Sequence, residues 1–270
     1  VHPITALSIA GSDSGGGAGI QADIRSFNAF EVHATTAVTA ITAQNTVGVN
    51  SVYEIPTDMV EAQIRAVITD FEVKATKTGM LALASTVERV AQLASDGLLP
   101  HLVVDPVLVS TSGHVLMQDG GVRAYQESLI PLAEVVTPNL FEAAILCNVD
   151  VRDVASLDDV MVLAETIKAM GPQYVLIKGG HFVSVTSHAP DVLLGAEGHV
   201  VFDGARVDTN NDHGTGCSLS SAIAAGLGLD RSVLDATRDA KSFVLSALQG
   251  ASQWHLGRGR GPIDHLGWNE

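Results

Sequence analysis

The chain has 270 residues, 46% of them hydrophobic and 17% charged, which is enough apolar material for a large core and fits one α/β domain spanning 1–270. A formal net charge of −15, with no Lys/Arg run and no aromatic-spaced basic stripe, argues against a nucleic-acid partner and for a small-molecule ligand. Two cysteines form no disulfide framework and suit a reducing cytoplasm, and the ten histidines lack zinc-binding spacing. No apolar run reaches the ~18 residues a bilayer span needs, and the N-terminus lacks a signal-peptide pattern, so a membrane is not expected. The chain opens on Val1 rather than methionine, as trimming or descent from a longer polypeptide would leave it.

Short β-branched runs alternate with helical patterns along the chain. Ala6-Leu-Ser-Ile-Ala reads as a buried strand, followed by apolar residues at three- and four-residue spacing over 20–30. A second strand is predicted at Thr36-Ala-Val-Thr-Ala-Ile-Thr, then helices over 56–68 and 85–94 with starts marked by Pro56, Thr57 and Ser85. Leu102-Val-Val-Asp and Glu134-Val-Val-Thr are further strands, with a helix over 157–170 entered at Ser156, and Tyr174-Val-Leu-Ile-Lys is another strand. Asp191-Val-Leu-Leu and His199-Val-Val-Phe flank Gly195-Ala-Glu-Gly as an antiparallel pair, and a last helix covers 231–248. The alternation predicts a doubly wound, mostly parallel sheet with helices on both faces and a mixed edge.

In such sheets ligands lie beyond the carboxyl ends of the strands, so the polar residues that follow the apolar runs are the candidates. The first run leads into Gly11-Ser-Asp-Ser-Gly-Gly-Gly-Ala-Gly and the second into Gln44. The others lead to Asp105, to Asn139 with Glu142 one helical turn later, and to Lys178-Gly-Gly-His. Asn210-Asn-Asp-His-Gly-Thr-Gly-Cys reads as an anion-binding turn. The amides of Gly214, Thr215, Gly216 and Cys217 would stand free at the positive end of a helix through Ser218-Leu-Ser-Ser, with a thiol where chemistry is expected. Gly17-Ala-Gly-Ile-Gln-Ala also fits a relaxed dinucleotide pattern. About six residues separate it from the strand, and no strand ending in Asp or Glu follows some twenty residues on. It reads better as a flexible turn against which a flat substrate lies, with Asp23 on the next helix facing that substrate. Gln44 offers a donor and an acceptor side by side to a heterocycle edge. Asp105 and Glu142 have the chemistry for magnesium or its water shell, and Lys178 for bridging phosphates.

Together these segments resemble the ribokinase superfamily, and within it the bacterial hydroxymethylpyrimidine/phosphomethylpyrimidine kinases. The resemblance runs in order from Ala6-Leu-Ser-Ile-Ala-Gly-Ser-Asp-Ser-Gly-Gly-Gly-Ala-Gly-Ile-Gln-Ala-Asp through Thr42-Ala-Gln-Asn-Thr, Lys77-Thr-Gly-Met-Leu, Val104-Asp-Pro-Val, Thr137-Pro-Asn-Leu-Phe-Glu-Ala and His213-Gly-Thr-Gly-Cys to Gly261-Pro-Ile-Asp-His. It implies a three-layer Rossmann-like ribokinase fold, ATP with Mg2+, a homodimer, and two successive phosphorylations of 4-amino-5-hydroxymethyl-2-methylpyrimidine. Carried over by position, Gln44 recognises the pyrimidine, with Gly11, Met80 and Val107 beside the ring. Asp105, Asn139, Glu142 and Lys178 form the magnesium and phosphate group, and Cys217 matches the catalytic base. The family more often has Thr at the positions of Asp212 and Ser218, so Asp212 adds negative charge near the phosphate path. A pyridoxal or pyridoxine kinase and a non-catalytic pyrimidine-binding protein are the alternatives.

Overall fold

The computed structural model describes residues 2–108, 117, 120–180 and 188–268. His181 of the Lys178-Gly-Gly-His motif lies outside them. In chain order the strands are β1 (Thr5–Ala10), β2 (His33–Val38), β3 (Ala40–Asn45), β4 (Gly48–Glu54), β5 (Val73–Thr78), β6 (Leu102–Val104), β7 (Val135–Val136), β8 (Tyr174–Ile177), β9 (Asp191–Gly195) and β10 (Gly198–Phe202). The helices are α1 (Gly19–Ala29), α2 (Thr57–Ile68), α3 (Ala84–Ser95), the short α4 (Gly121–Ala124), α5 (Leu140–Cys147), α6 (Leu157–Lys168), α7 (Thr215–Gly228) and α8 (Val233–Ala251).

Eight strands form one sheet in the order β10-β9-β8-β7-β6-β5-β1-β2. From β8 to β2 every pairing is parallel, while β9 and β10 join antiparallel at the other edge, as the Gly195-Ala-Glu-Gly turn predicts. Because successive side chains point to opposite faces, each strand feeds two cores. Leu7 and Ile9 of β1 join Val60, Ile64, Val87 and Val90 on one face. Ala6 of the same strand joins Phe27, Leu219, Ile223 and Ala240 on the other. The sheet is thus sandwiched between α2, α3, α5 and α6 below and α1, α7 and α8 above, the three-layer arrangement expected from the sequence.

The continuous run at 36–42 is two strands rather than one. Thr39 breaks it: its N–H bonds Ala10 O (3.0 Å) and its hydroxyl bonds Met80 O (2.5 Å), which pins the chain to the ends of β1 and β5. Beyond it, β3 leaves the main sheet and pairs only with β4, with a register irregularity between Ala43 and Gln44. Gln44 therefore rides on a two-stranded hairpin over the sheet and does not end a central strand. Strand order reverses at β1, with β2 on one side and β5 on the other, and this is the crevice where an α/β sheet holds its ligand.

Candidate active site

A cavity of about 350 Å³ opens over that crevice, along the carboxyl ends of β1, β5, β6 and β8. Twelve sequence-predicted residues line it: Gly11, Gln44, Met80, Val107, Asp105, Asn139, Glu142, Lys178, Gly214, Thr215, Gly216 and Cys217. Helix α7 begins at Thr215, and its first full-turn bond runs from Ser218 N–H to Gly214 O (2.9 Å). The amides of Gly216 and Cys217 precede that ladder at the positive end of the helix, whereas the Thr215 N–H, expected to be free, makes a long bond to Asp212 O (3.4 Å). Gly214 takes a left-handed φ of 88°, and a β-carbon there would stand 1.8 Å from Gly17 O. Only a glycine lets this turn lie directly against the Gly-rich loop.

That loop is anchored rather than flexible. The Asp13 carboxylate accepts from the N–H groups of Gly15 (2.8 Å), Gly17 (3.0 Å) and Ala18 (2.9 Å). The amides that a dinucleotide pyrophosphate would need are occupied by the protein's own side chain. Burial pushes the Asp13 carboxyl up, but His213 and the Ala18 and Gly15 amides outweigh it and hold it below its ordinary range. His213 Nε2 lies 3.0 Å from Asp13 Oδ2 and 3.2 Å from Gln44 Nε2. A protonated Nε2 donating to Asp13 has no lone pair for Gln44, whose amide hydrogens then remain for another acceptor.

Asp23 does not face the cavity. It is fully buried behind the cavity floor, accepting from Ser8 Oγ (2.5 Å), Ser221 Oγ (2.7 Å) and Lys77 Nζ (2.9 and 3.0 Å). Placement on α1 gave its helical face, but the lysine behind that face lies on β5, a strand without an apolar run.

At the other wall, Lys178 Nζ bonds Asp105 Oδ1 (2.7 Å), with Ser220 Oγ on Asp105 Oδ2 (3.3 Å). Asn139 and Glu142 form a reciprocal cap on α5: Glu142 N–H donates to Asn139 Oδ1 (3.0 Å) and Asn139 N–H donates to Glu142 Oε2 (2.8 Å). Burial pushes the Glu142 carboxyl up to about 7; Lys178 opposes this and Asp105 adds to it. Lys178 stays charged: burial works against its ammonium, but Asp105 and Glu142 raise its pKa. Among the described residues no group of three or more His, Cys, Asp or Glu side chains could cage a metal ion. Two hard carboxylates beside one lysine suit a magnesium ion that keeps its waters and leans on nucleotide phosphates.

Cys217 is half-buried, and burial pushes its thiol up to about 11 against the pull of Lys77, so at neutral pH it is a thiol. Asp212 does not leave a bare charge at the cleft. Arg260 grips it through Nε (2.7 Å) and Nη2. Arg260 belongs to a strap, residues 257–265, that sequence reading missed as a site element. Arg260 N–H bonds Thr46 O (3.0 Å), and the amides of Arg258 and Gly259 bond Thr46 Oγ1 (3.2 and 3.1 Å). His213 N–H bonds Gly261 O (3.0 Å), and His265 Nε2 lies 2.7 Å from Ser218 Oγ in the first turn of α7. The far wall, also missed, is built by Val207, Lys241, Val244 and Leu248, where helical periodicity alone reads as core.

A three-layer α/β sandwich with its cleft at the sheet's switch point, beside the first turn of α7, places the chain among the ribokinase-like phosphotransferases. More narrowly, the chain belongs to the phosphomethylpyrimidine kinase family, whose profile matches residues 13–264. It is 45% identical over 265 residues to the hydroxymethylpyrimidine/phosphomethylpyrimidine kinase of Rhizobium meliloti (strain 1021), covering 97% of this chain and 96% of that one. The phosphomethylpyrimidine kinase of Clostridium difficile 630 superposes with a TM-score of 0.79 at 36% identity, over 91% of this chain and 99% of that one. The pyridoxal kinase of Staphylococcus aureus in complex with AMP-PCP and pyridoxal superposes with a TM-score of 0.88 at 31% identity, over 100% of this chain and 96% of that one. Among the described residues no helix is long and apolar enough to cross a membrane.

Proposed function

We propose that this protein transfers the γ-phosphoryl group of ATP first to 4-amino-5-hydroxymethyl-2-methylpyrimidine and then to the resulting monophosphate, giving the diphosphate used for thiamine. The observation that carries the reading is the placing of Gln44, Met80 and Val107 in the same cavity as the Gly214–Cys217 turn. Gln44, its amide hydrogens released by the Asp13–His213 pair, reads the aminopyrimidine edge. Met80 and Val107 flank the ring, and Gly11 lets it approach the backbone. The hydroxymethyl oxygen then points toward the first turn of α7.

In each step the acceptor oxygen forms a bond to the γ-phosphorus while the bond to the β–γ bridging oxygen breaks, its electron pair leaving with ADP. The transition state is loose, so the protein's task is alignment and charge stabilisation. The amides of Gly214, Thr215, Gly216 and Cys217 hold the transferring oxygens, Lys178 draws the donor phosphates, and Asn139 fixes the cap that presents Glu142. A magnesium ion, held through Asp105 and Glu142 and their waters, would neutralise phosphate charge. With the thiol pushed up to about 11, Cys217 keeps its proton at pH 7. The alcohol proton therefore departs late, to solvent or to a phosphoryl oxygen, since a thiol that holds its own proton cannot take another, and the second acceptor, already an oxyanion, needs no base. We further infer that 1–270 acts as one kinase domain, in the cytoplasm and as a homodimer.

Phosphate-resolved product analysis with ATP, Mg2+ and either the pyrimidine or pyridoxal tests the assignment. The expected result is mono- and then diphosphate from the pyrimidine. Pyridoxal phosphate as dominant product would move the assignment to the sister activity, and ligand binding without turnover would make the chain a binding protein.

A further inference from the structure

Strand β5 carries a lysine into a place where burying one is costly. Lys77 is 0% exposed, and its ammonium rests on both oxygens of Asp23, itself 0% exposed. Ser8 of β1 and Ser221 of α7 donate to the same carboxylate, so four elements, with α1 and β5, converge on one buried pair. Such a pair is seldom more stable than apolar packing, so stability alone is a weak reason for it. Its location gives a better one. Lys77 lines the cleft alongside Cys217, and a β-carbon at Gly79 would stand 2.8 Å from Nζ, so the glycine leaves the ammonium room.

We propose that Lys77 is a positioning residue for the transfer step: its ammonium, locked by Asp23 beneath the first turn of α7, supplies a fixed positive potential. That potential favours negative charge on Cys217 Sγ and on an acceptor that is already a phosphate monoester. The inference rests on the two-step kinase reading above. The charged groups that face Cys217 are Lys77, Asp23, Asp105 and Lys178. Burial raises the Cys217 thiol, Lys77 opposes that rise most strongly, and the two carboxylates add to it. Lys77 itself stays charged: burial is the strongest single influence and disfavours the ammonium, but Asp23, with Cys217 and Asp105, together outweigh it.

Two variants test the role. Lys77→Met removes the charge, and Asp23→Asn/Lys77→Met removes it without leaving an unpaired buried carboxylate, which guards against misfolding. Steady-state kinetics with the alcohol and with its monophosphate, measured separately, should show kcat/KM for the monophosphate falling about tenfold further than for the alcohol. In parallel, alkylation of Cys217 by iodoacetamide at pH 9, followed by mass spectrometry of its peptide, should slow by roughly tenfold in Lys77→Met and by less in the double variant. Equal losses on the two acceptors, or unchanged alkylation in Lys77→Met and in the double variant, overturn the proposal. If the wild type phosphorylates neither acceptor, the substrate reading fails on its own, and the alkylation rates still decide whether Lys77 acts on Cys217.

Discussion

Cys217 is a neutral thiol at neutral pH, because burial outweighs the pull of Lys77. A carboxylate in its place would be anionic at neutral pH and would repel an acceptor carrying about −1.5 to −2 charge. Cys217→Asp should therefore keep much of the first phosphorylation and lose most of the second, as separate rates on the two acceptors would show. Cys217→Ala should be nearly silent only if the thiol does no more than pack. Glu142 gives a pH test. Its carboxyl, raised from 4.5 to about 7, binds its proton more tightly folded than unfolded. The stability this adds is full below the unfolded value and is lost as pH rises through about 7. In the absence of nucleotide and divalent cation, wild-type Tm should fall between pH 5 and pH 8 by more than that of Glu142→Gln, which keeps the Asn139 cap. Residues such as Gln44, Asp105 and Lys178 were legible because each follows an apolar run. Asp23 was misread because periodicity fixes a helical face without revealing what packs behind it.

The elements differ in how openly the sequence declares them. β6, β7 and β8 are near-continuous apolar runs, and β1 is apolar but for Thr5 and Ser8, as suits strands buried on both faces. β5 is Val-Lys-Ala-Thr-Lys-Thr, with Lys74, Thr76, Lys77 and Thr78 polar, yet it lies between β1 and β6 in the middle of the sheet. Its lysine is there for Asp23, a partner 54 residues away that no local pattern can show. The run at 36–42 hid a break because both halves are β-branched, and only tertiary bonds to Thr39 separate them. Helix α7 was legible from its glycines, but not the buried histidine bracing its first turn. His265 is pushed down to about 4 by burial, with Arg25 adding to the effect. A histidine that resists protonation when folded contributes stability above its unfolded value near 6.5, and this is lost as pH falls toward 4. Denaturant titrations between pH 7 and pH 4.5 should show His265→Gln losing less stability over that interval than the wild type.

At the scale of the whole molecule, the 257–265 strap joins parts that the sheet leaves separate: the hairpin carrying Gln44, the anion turn and the first turn of α7. The Arg260–Asp212 pair is partly exposed, so its worth to stability is small, roughly 0–1 kcal/mol. Its effect is local charge. Arg260→Ala should leave Asp212 uncompensated beside the phosphate path and raise KM for ATP several-fold with little change in Tm. Asp212→Thr added to it should restore KM, which steady-state kinetics would check.

Thr46 and Gly259, which the strap brings together, are 213 positions apart in the chain. A ribosome releases Gln44, Lys178 and Cys217 well before it releases the segment that sets them in register. The growing polypeptide can already seat His213 against Asp13 and Gln44, but the bonds that tie Thr46 and the first turn of α7 to one segment form only once synthesis has passed His265.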